Sequence, residues 1–525
     1  MANALRQAIC LLGIVALMAV DGINGTLLVV NRGQVMGGYA ATPDEAAWLN
    51  IAYLATKLIA FVSTPWLVGR YDAVKTTWVG GLLLAVVTGA LAMAPDLTFA
   101  IAIRAAQGAC GALVLVAAQT LVFQAYPATR QPLLQSMIAL AVVVVPVMVA
   151  PALHGWVTDA HDWRDLFVGA AVTALLACVA FHSTRPREPA RVASNAPRPV
   201  VQLLLAPAIV GVVYVMQEGA RFDWFDAVHI RVVAVASVIA LACASWFALR
   251  GDAGRQAMRH AGAHPDFVFG LCASFFAGFA LFGSGAAIPL FGNVVLSLAP
   301  EHVGQLALSS SIAAAAGLAL AGLALQSGRV PVVAPIPVGI ALFMTGMWLL
   351  SLSSAQTGAP QMLLATWLRG FGMGLLFVSL TVMTLGGLPR ERMAGGVALF
   401  NLGRQAGGLA GMAFVSTMLE WRLPAHGVAL WQHVPMGSAE LDATQATLMN
   451  LWMEQGLAAG EATTASAAWI ARQVQQQSAA RAFDEIFLSL AMFFVVAIPL
   501  LLGTKVFLAR QSRRAQHAQR HLAAP

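Results

Sequence analysis

The stretch TFAIAIRAAQGACGALVLVAAQTLVF, Thr98 to Phe123, carries a single charged residue, Arg104. About 20 apolar residues cross the hydrocarbon core of a bilayer as a helix, and this run is long enough. A guanidinium inside such a helix costs roughly 2.5–3.5 kcal/mol on insertion scales. It needs an acid, a backbone carbonyl or water as partner, and it marks a candidate functional site. Gly108 and Gly111 follow on the next turns, where the missing side chain lets a second helix approach closely.

The rest of the chain has the same character. Of its 525 residues, 59% are hydrophobic and 10% charged, with a mean hydropathy of +0.76. A soluble protein carries about 25% charged residues. The bilayer is therefore the solvent, and the class is an all-α polytopic membrane protein. The net charge of +7 does not point to nucleic acid, because the basic residues cluster in short loops between apolar runs. The first apolar run is interrupted by Asp21 and lacks a small-residue cleavage site, so it reads as an uncleaved span rather than a secretion signal. The five cysteines lie in or beside apolar runs without paired spacing. They fit free thiols rather than a disulfide framework or a metal site.

Fourteen segments have the length and apolarity of spans: 8–30, 46–68, 76–95, 98–123, 133–155, 166–182, 200–217, 229–249, 267–291, 303–326, 331–353, 361–388, 394–419 and 484–508. With both termini in the cytoplasm, 19 of the 30 basic residues fall in cytoplasmic loops and tails and seven in the opposite loops. That asymmetry satisfies the positive-inside rule. Arg369, followed by Gly370, Gly372 and Gly374 in span 12, repeats the pattern around Arg104 in span 4. The repeat predicts two six-helix bundles, residues 1–183 and 266–525, around a link and two inserted helices at 184–265. Related halves around a central site are a common transporter design. The polar segment 420–481 is placed outside the membrane. Within it Ala467–Arg481 has helical spacing with Trp469, Ile470 and Val474 as an apolar stripe, which either rests on the membrane or docks a partner or belongs to a solvated lid. The C-terminal tail is basic and cytoplasmic.

Asp21 is the one acid well inside a span. At 1.5 Å per residue it lies about 13 Å below the outer surface, with Lys57 at about 16 Å and Arg104 at about 9 Å. Either the acid is a proton switch that pairs with a base and releases it on protonation, or the charges form a static ion pair between helices. Lys57 has two further readings, snorkelling or holding an anionic group. Arg404 sits near mid-membrane with no acid on its own helix, facing a polar cavity or capping carbonyls. His154 after Pro151 is either interfacial or pH-responsive. Glu218, in the turn Gln217–Trp224, is expected to be exposed. No Gly-Lys-Ser/Thr phosphate loop and no zinc-ligand spacing occurs, so no cofactor, metal or direct ATP use is expected.

These residues resemble the major facilitator superfamily, and within it the 14-helix drug/proton antiporter branch, over nearly the whole chain. Arg104-Ala-Ala-Gln107-Gly108 is similar to the span-4 motif whose arginine is implicated in proton coupling. Ala150-Pro151-Ala152-Leu153-His154-Gly155 is similar to the span-5 antiporter motif Gly-Pro-x-Leu-Gly-Gly. Asp21 and Asn24 resemble the span-1 motif, while Gln217–Trp224 and Asn401–Gly408 look like this branch in particular. The resemblance implies a major facilitator fold with a 6+2+6 arrangement of 14 helices. It implies a proton-coupling role for Arg104. From the residues, Asp21 carries or senses the proton, Arg104 is its proposed partner at matching depth, and Lys57 is a lesser partner, while Gln107, Gly108, Gly111, Pro151 and Gly155 serve helix packing or gating.

The loop between spans 2 and 3 departs from the family's Gly-x-Leu-x-Asp-Arg-x-Gly-Arg-Lys. Its usual acid is Gly69, Arg70 is kept, and its second glycine is Asp72. Either the cytoplasmic latch is lost or Asp72, with Arg70, substitutes for its missing acid.

The expected function is proton-driven export of amphipathic or lipophilic small molecules across a bacterial inner membrane. A periplasmic adaptor and outer-membrane channel are implied partners. The alternatives are a dedicated exporter of one siderophore-like or fatty-acid-like metabolite, or a transport-inactive scaffold or sensor.

Overall fold

The structure, a computed structural model, describes residues 2–149, 153, 162–186, 199–250, 265–432 and 439–522. Within them the regular structure is helical, without strands. Twelve of the described helices are long and apolar enough to cross a membrane. Two of the fourteen expected spans do not meet that measure. One is the short helix Pro335–Leu350, of 16 residues. The other is Met393–Gln432, whose 40 residues begin in the apolar region and run on past it into polar sequence. Pro151, His154 and Gly155 lie outside the described residues, as does most of the link before the inserted helices.

The first group of helices is α1 (Ala2–Val30), α2 (Arg32–Tyr39), α3 (Pro43–Tyr71), α4 (Ala73–Ala92), α5 (Leu97–Ala125), α6 (Gln131–Ala139) and α7 (Trp163–Thr184). Their starts are written in the sequence. Thr42 and Glu45 form a capping box at α3, with Thr42 N donating to Glu45 Oε2 at 2.9 Å. Asp96 caps α5 by accepting from Phe99 N at 2.8 Å. α6 passes into a π-helical turn at Leu140–Val144. Pro146 has no N–H to offer the Val142 carbonyl, which breaks the ordinary α-helical ladder there.

The inserted pair, α8 (Pro199–Glu218) and α9 (Val228–Arg250), packs together, and α8 also lies against α3. The second group is α10 (Pro265–Val294), α11 (Pro300–Gln326), α12 (Pro335–Leu350), α13 (Ala359–Leu385), α14 (Met393–Gln432) and α16 (Ala459–Leu522), with α15 (Ala439–Glu454) against α16. The groups meet where α14 packs on α3 and α5, and where α6 packs on α11 and α13. Arg70, Arg130 and Arg390 share one end of the helices, the basic end.

The connection between spans 2 and 3 departs from the sequence expectation in a specific way. Asp72 has φ +70° and ψ 161°, backbone that is essentially glycine's. Glycine is what the family pattern places there. Asp72 sits at this position as the cap of α4, accepting from Lys75 N at 2.8 Å. Arg70 is exposed beside the Tyr71 ring. Glu218 corrects the expectation of exposure: it is 9% exposed, because its turn folds back onto neighbouring helices. There Arg221 pairs with Asp44, Gln217 accepts from Asn50 at 3.0 Å, and Trp224 donates to Thr417 of α14 at 3.0 Å.

Candidate functional site

Asp21 of α1, Lys57 and Tyr53 of α3 and Arg104 of α5 are all buried together. Lys57 Nζ donates to both carboxylate oxygens of Asp21, at 3.0 and 2.8 Å. Tyr53 Oη donates to Asp21 Oδ1 at 3.0 Å and accepts from Lys57 at 2.9 Å. The acid's charged partner is thus Lys57 and not Arg104, which corrects the pairing expected from the sequence. Tyr53 and Lys57 stand four residues apart, so one face of α3 presents both.

Arg104 lies on the other side of Tyr53. Its guanidinium stacks over the ring, 4.2 Å from the centroid. It donates to Asn24 O at 3.0 Å, to Leu49 O at 3.4 Å and to Gln107 Oε1 at 2.5 Å. Gln107 Nε2 and Asn24 Nδ2 both donate to Thr88 Oγ1 at 3.0 Å. Arg104 therefore ties α1, α3 and α5 through backbone carbonyls, and it touches the acid only through Tyr53. Tyr53 and Thr88 were not singled out from the sequence. The signal for Tyr53 was its place one turn from Lys57 at the depth of Asp21.

The glycines have steric roles. A Cβ at Gly111 would run into Asp21 Oδ1, and one at Gly108 into the Tyr53 carbonyl. Their absence lets α5 press on α1 and α3 closely enough to enclose the acid.

Arg369 occupies the equivalent place in the second group. It donates to Ser284 Oγ at 2.8 Å and Leu281 O at 3.2 Å on α10, and to Ser310 Oγ at 3.0 Å on α11. Arg104 reaches α1 and α3; Arg369 reaches α10 and α11, their counterparts in the repeat. The second group has no acid in the place of Asp21, and serines fill the role. Arg404 donates to Asn401 Oδ1 at 2.7 Å and lies 5.1 Å from the Phe377 ring centroid. Between the groups, Leu54, Lys57 and Leu58 face Gln405 and Leu409 across a small cavity.

Twelve apolar helices, a buried ion pair, two pseudo-equivalent arginines and two helix groups in contact are the build of a multi-pass membrane protein made of two related halves. The Major Facilitator Superfamily profile matches residues 9–412, and the chain belongs to that family. It is similar to the multidrug export protein EmrB of Escherichia coli, 24% identical over 91% of this chain and 91% of that protein. It is also similar to the fatty acid resistance protein FarB of Neisseria gonorrhoeae, 23% identical over 93% and 94%. Among solved structures, the human organic anion transporter MFSD10 (TETRAN) aligns with a TM-score of 0.60 at 12% identity, covering 94% of this chain and 99% of that one. The proton:xylose symporter XylE bound to 6-bromo-6-deoxy-D-glucose aligns at 0.57 and 12%, covering 94% and 96%. Both share the fold.

Proposed function

We propose that the protein exports amphipathic or lipophilic small molecules across the bacterial inner membrane by alternating access, driven by inward proton flow. The observation that carries this reading is the buried Asp21–Lys57 ion pair bridged by Tyr53. A proton reaching Asp21 cancels its charge and leaves Lys57 as an uncompensated buried cation. Removing one partner of a buried pair costs about 3–5 kcal/mol, enough to drive a change in how α1 meets α3. Lys57 lies at the contact between the two groups, beside Gln405 and Leu409, so the change is delivered to the surface along which they would move. Arg104 holds the three helices around the switch and positions Tyr53.

In this reading residues 1–183 and 266–525 are the two moving bundles, and 184–265 holds the inserted pair. The basic end and both termini face the cytoplasm, as the distribution of arginines favours. The helices at 420–481 face the periplasm and offer a surface for an adaptor that leads to an outer-membrane channel. A second reading, a dedicated exporter of one fatty-acid-like metabolite, draws support from the similarity to FarB.

The test is transport into inverted vesicles under an imposed pH gradient, with wild type beside Asp21→Asn. Gradient-driven accumulation by wild type and its loss in the variant are expected. Undiminished gradient-driven transport by Asp21→Asn removes Asp21 from proton coupling. A set of cationic, neutral and fatty-acid probes separates the broad exporter from the dedicated one.

A further inference from the structure

Near the basic end, a chain of buried side chains crosses from one helix group to the other. Arg404 Nη2 of α14 donates to Asn401 Oδ1 at 2.7 Å. Asn401 Nδ2 donates to Gln119 Oε1 of α5 at 2.9 Å. Gln119 Nε2 donates to Gln135 Oε1 of α6 at 2.9 Å, and Gln135 Nε2 to Gln131 Oε1 at 3.3 Å. Gln131 Nε2 ends the chain on the carbonyls of Val122 and Tyr126, both at 3.0 Å. All five side chains are buried.

The direction of this chain is fixed by its ends. A guanidinium can only donate and a backbone carbonyl can only accept, so each amide between them must point its oxygen toward Arg404 and its nitrogen away. One of these bonds joins the two helix groups: Asn401 to Gln119. It lies on the same side of the molecule as two other contacts between the groups. Gln124 donates to the Arg390 carbonyl at 3.5 Å. Gly322 of α11 abuts Ser136 of α6, where a Cβ would collide with Ser136 Oγ. Meanwhile the loop between α3 and α4 has Gly69 where the family pattern has an acid, and Asp72 works within that loop, its Oδ1 capping α4 and its Oδ2 4.0 Å from Lys75 Nζ.

We propose that Gln119 and Asn401 are positioning residues for transport: their hydrogen bond closes the basic end of the pathway, in place of a charged latch. An uncharged bond suits a gate that must open in every cycle. When it breaks, both amides meet water and are satisfied, and when it re-forms only neutral groups are buried, whereas a charged latch would have to desolvate two ions at every closure. Because Asn401 also receives Arg404, the closed gate is tied to the mid-membrane region of α14, beside Gln405 at the cavity.

The inference rests on the alternating-access reading, so its test uses neither cargo nor a proton gradient. Spin labels at Ala128→Cys and Glu391→Cys, both exposed positions at the basic end, report its width in the full-length protein, reconstituted with the five native cysteines replaced. A net hydrogen-bond contribution corresponds to a population ratio of about two- to twelvefold. Gln119→Leu is expected to raise the long-distance population by that factor, and Asn401→Leu by a similar one. The double variant is expected to do no more than either single one, because both remove the same bond. Exchanging the two amides, Gln119→Asn with Asn401→Gln, keeps the summed reach and is expected to restore the short distance. If Gln119→Leu does not fold, Gln119→Ala is read in its place. A folded Gln119 variant with an unchanged distance distribution overturns the proposal, as does full additivity in the double variant. Failure of pH-gradient transport with the distance shifts intact would sink the proton-export reading and leave this one standing.

Discussion

Asp21 has three hydrogen-bonded contacts from Lys57 and Tyr53 around its carboxylate, and it fits there because residue 111 is glycine. Gly111→Ala is expected to push the carboxylate off its donors and lower gradient-driven transport at least tenfold, with the protein still folded. Gly169→Ala, at a glycine with open space beside it, is the control, and its rate should stay within twofold of wild type. Equal effects of the two would show that packing around Asp21 is irrelevant. Tyr53→Phe removes the hydroxyl that joins acid and base while keeping the ring under Arg104. The loss of a hydrogen bond to a charged group is worth about 1.5–3 kcal/mol. Transport is expected to fall by about tenfold or more in the same vesicle assay, and an unchanged rate would make the hydroxyl a bystander. That Asp21, Lys57 and Arg104 lie at neighbouring levels of the first group was legible from residue counting. Which base meets the acid was not. α3 and α5 are apolar on every side, so hydropathy leaves their rotation free, and packing turns Lys57 toward Asp21 and Arg104 toward the carbonyls of Asn24 and Leu49.

At the scale of elements, close helix approach is set by glycines on a four-residue step. Gly403, Gly407 and Gly411 line the face of α14 that meets α10. There Cβ atoms would strike Ser274 Oγ and the carbonyls of Phe275 and Phe279. Gly278 of α10 answers from the other side, against the Arg404 carbonyl. Such small-residue faces take the place of the hydrophobic effect, which gives no drive between helices in lipid. Gly407→Val is expected to wedge the pair apart at about 1–3 kcal/mol, read as a fall in thermal midpoint of several degrees in detergent. Gly395→Val, at an open position of the same helix, should leave the midpoint unchanged. A midpoint unmoved by Gly407→Val would mean that α10 and α14 tolerate separation. The repeat relating Arg104 to Arg369 was visible in the sequence because both arginines precede glycines. Its chemical asymmetry, an ion pair in one half and serines in the other, was hidden in Ser284 and Ser310, residue types too common in such helices to stand out.

For the whole molecule, α14 is longer than a membrane crossing needs. Its 40 residues span about 60 Å, against a hydrocarbon core of about 30 Å. α16 also begins well before its apolar stretch, and α15 packs on it, with Thr463 Oγ1 3.3 Å from Met449 Sδ. The sequence read this region as an outer segment with helical character only at Ala467–Arg481, whereas helix covers most of its described residues. α14 continues into it through Pro424 and Gly427 without a break, and α16 reaches its apolar stretch as one continuous helix. Here Trp431 is 46% and Trp469 40% exposed, and exposed tryptophans are the side chains that dominate protein interfaces when truncated. If an adaptor docks here, Trp431→Ala with Trp469→Ala should leave transport in isolated vesicles within twofold of wild type. The same pair should cut whole-cell resistance to that cargo at least fourfold, because only the cell needs the path beyond the inner membrane. A parallel fall in both assays would assign the tryptophans to the transporter's own stability. Unchanged resistance would move the docking surface elsewhere. The side on which they lie is read from the same molecule: a membrane-impermeant maleimide should reach Thr444→Cys in intact spheroplasts and Ala128→Cys only after lysis. The reverse pattern would invert the molecule, put these helices in the cytoplasm, and exclude a periplasmic partner for them.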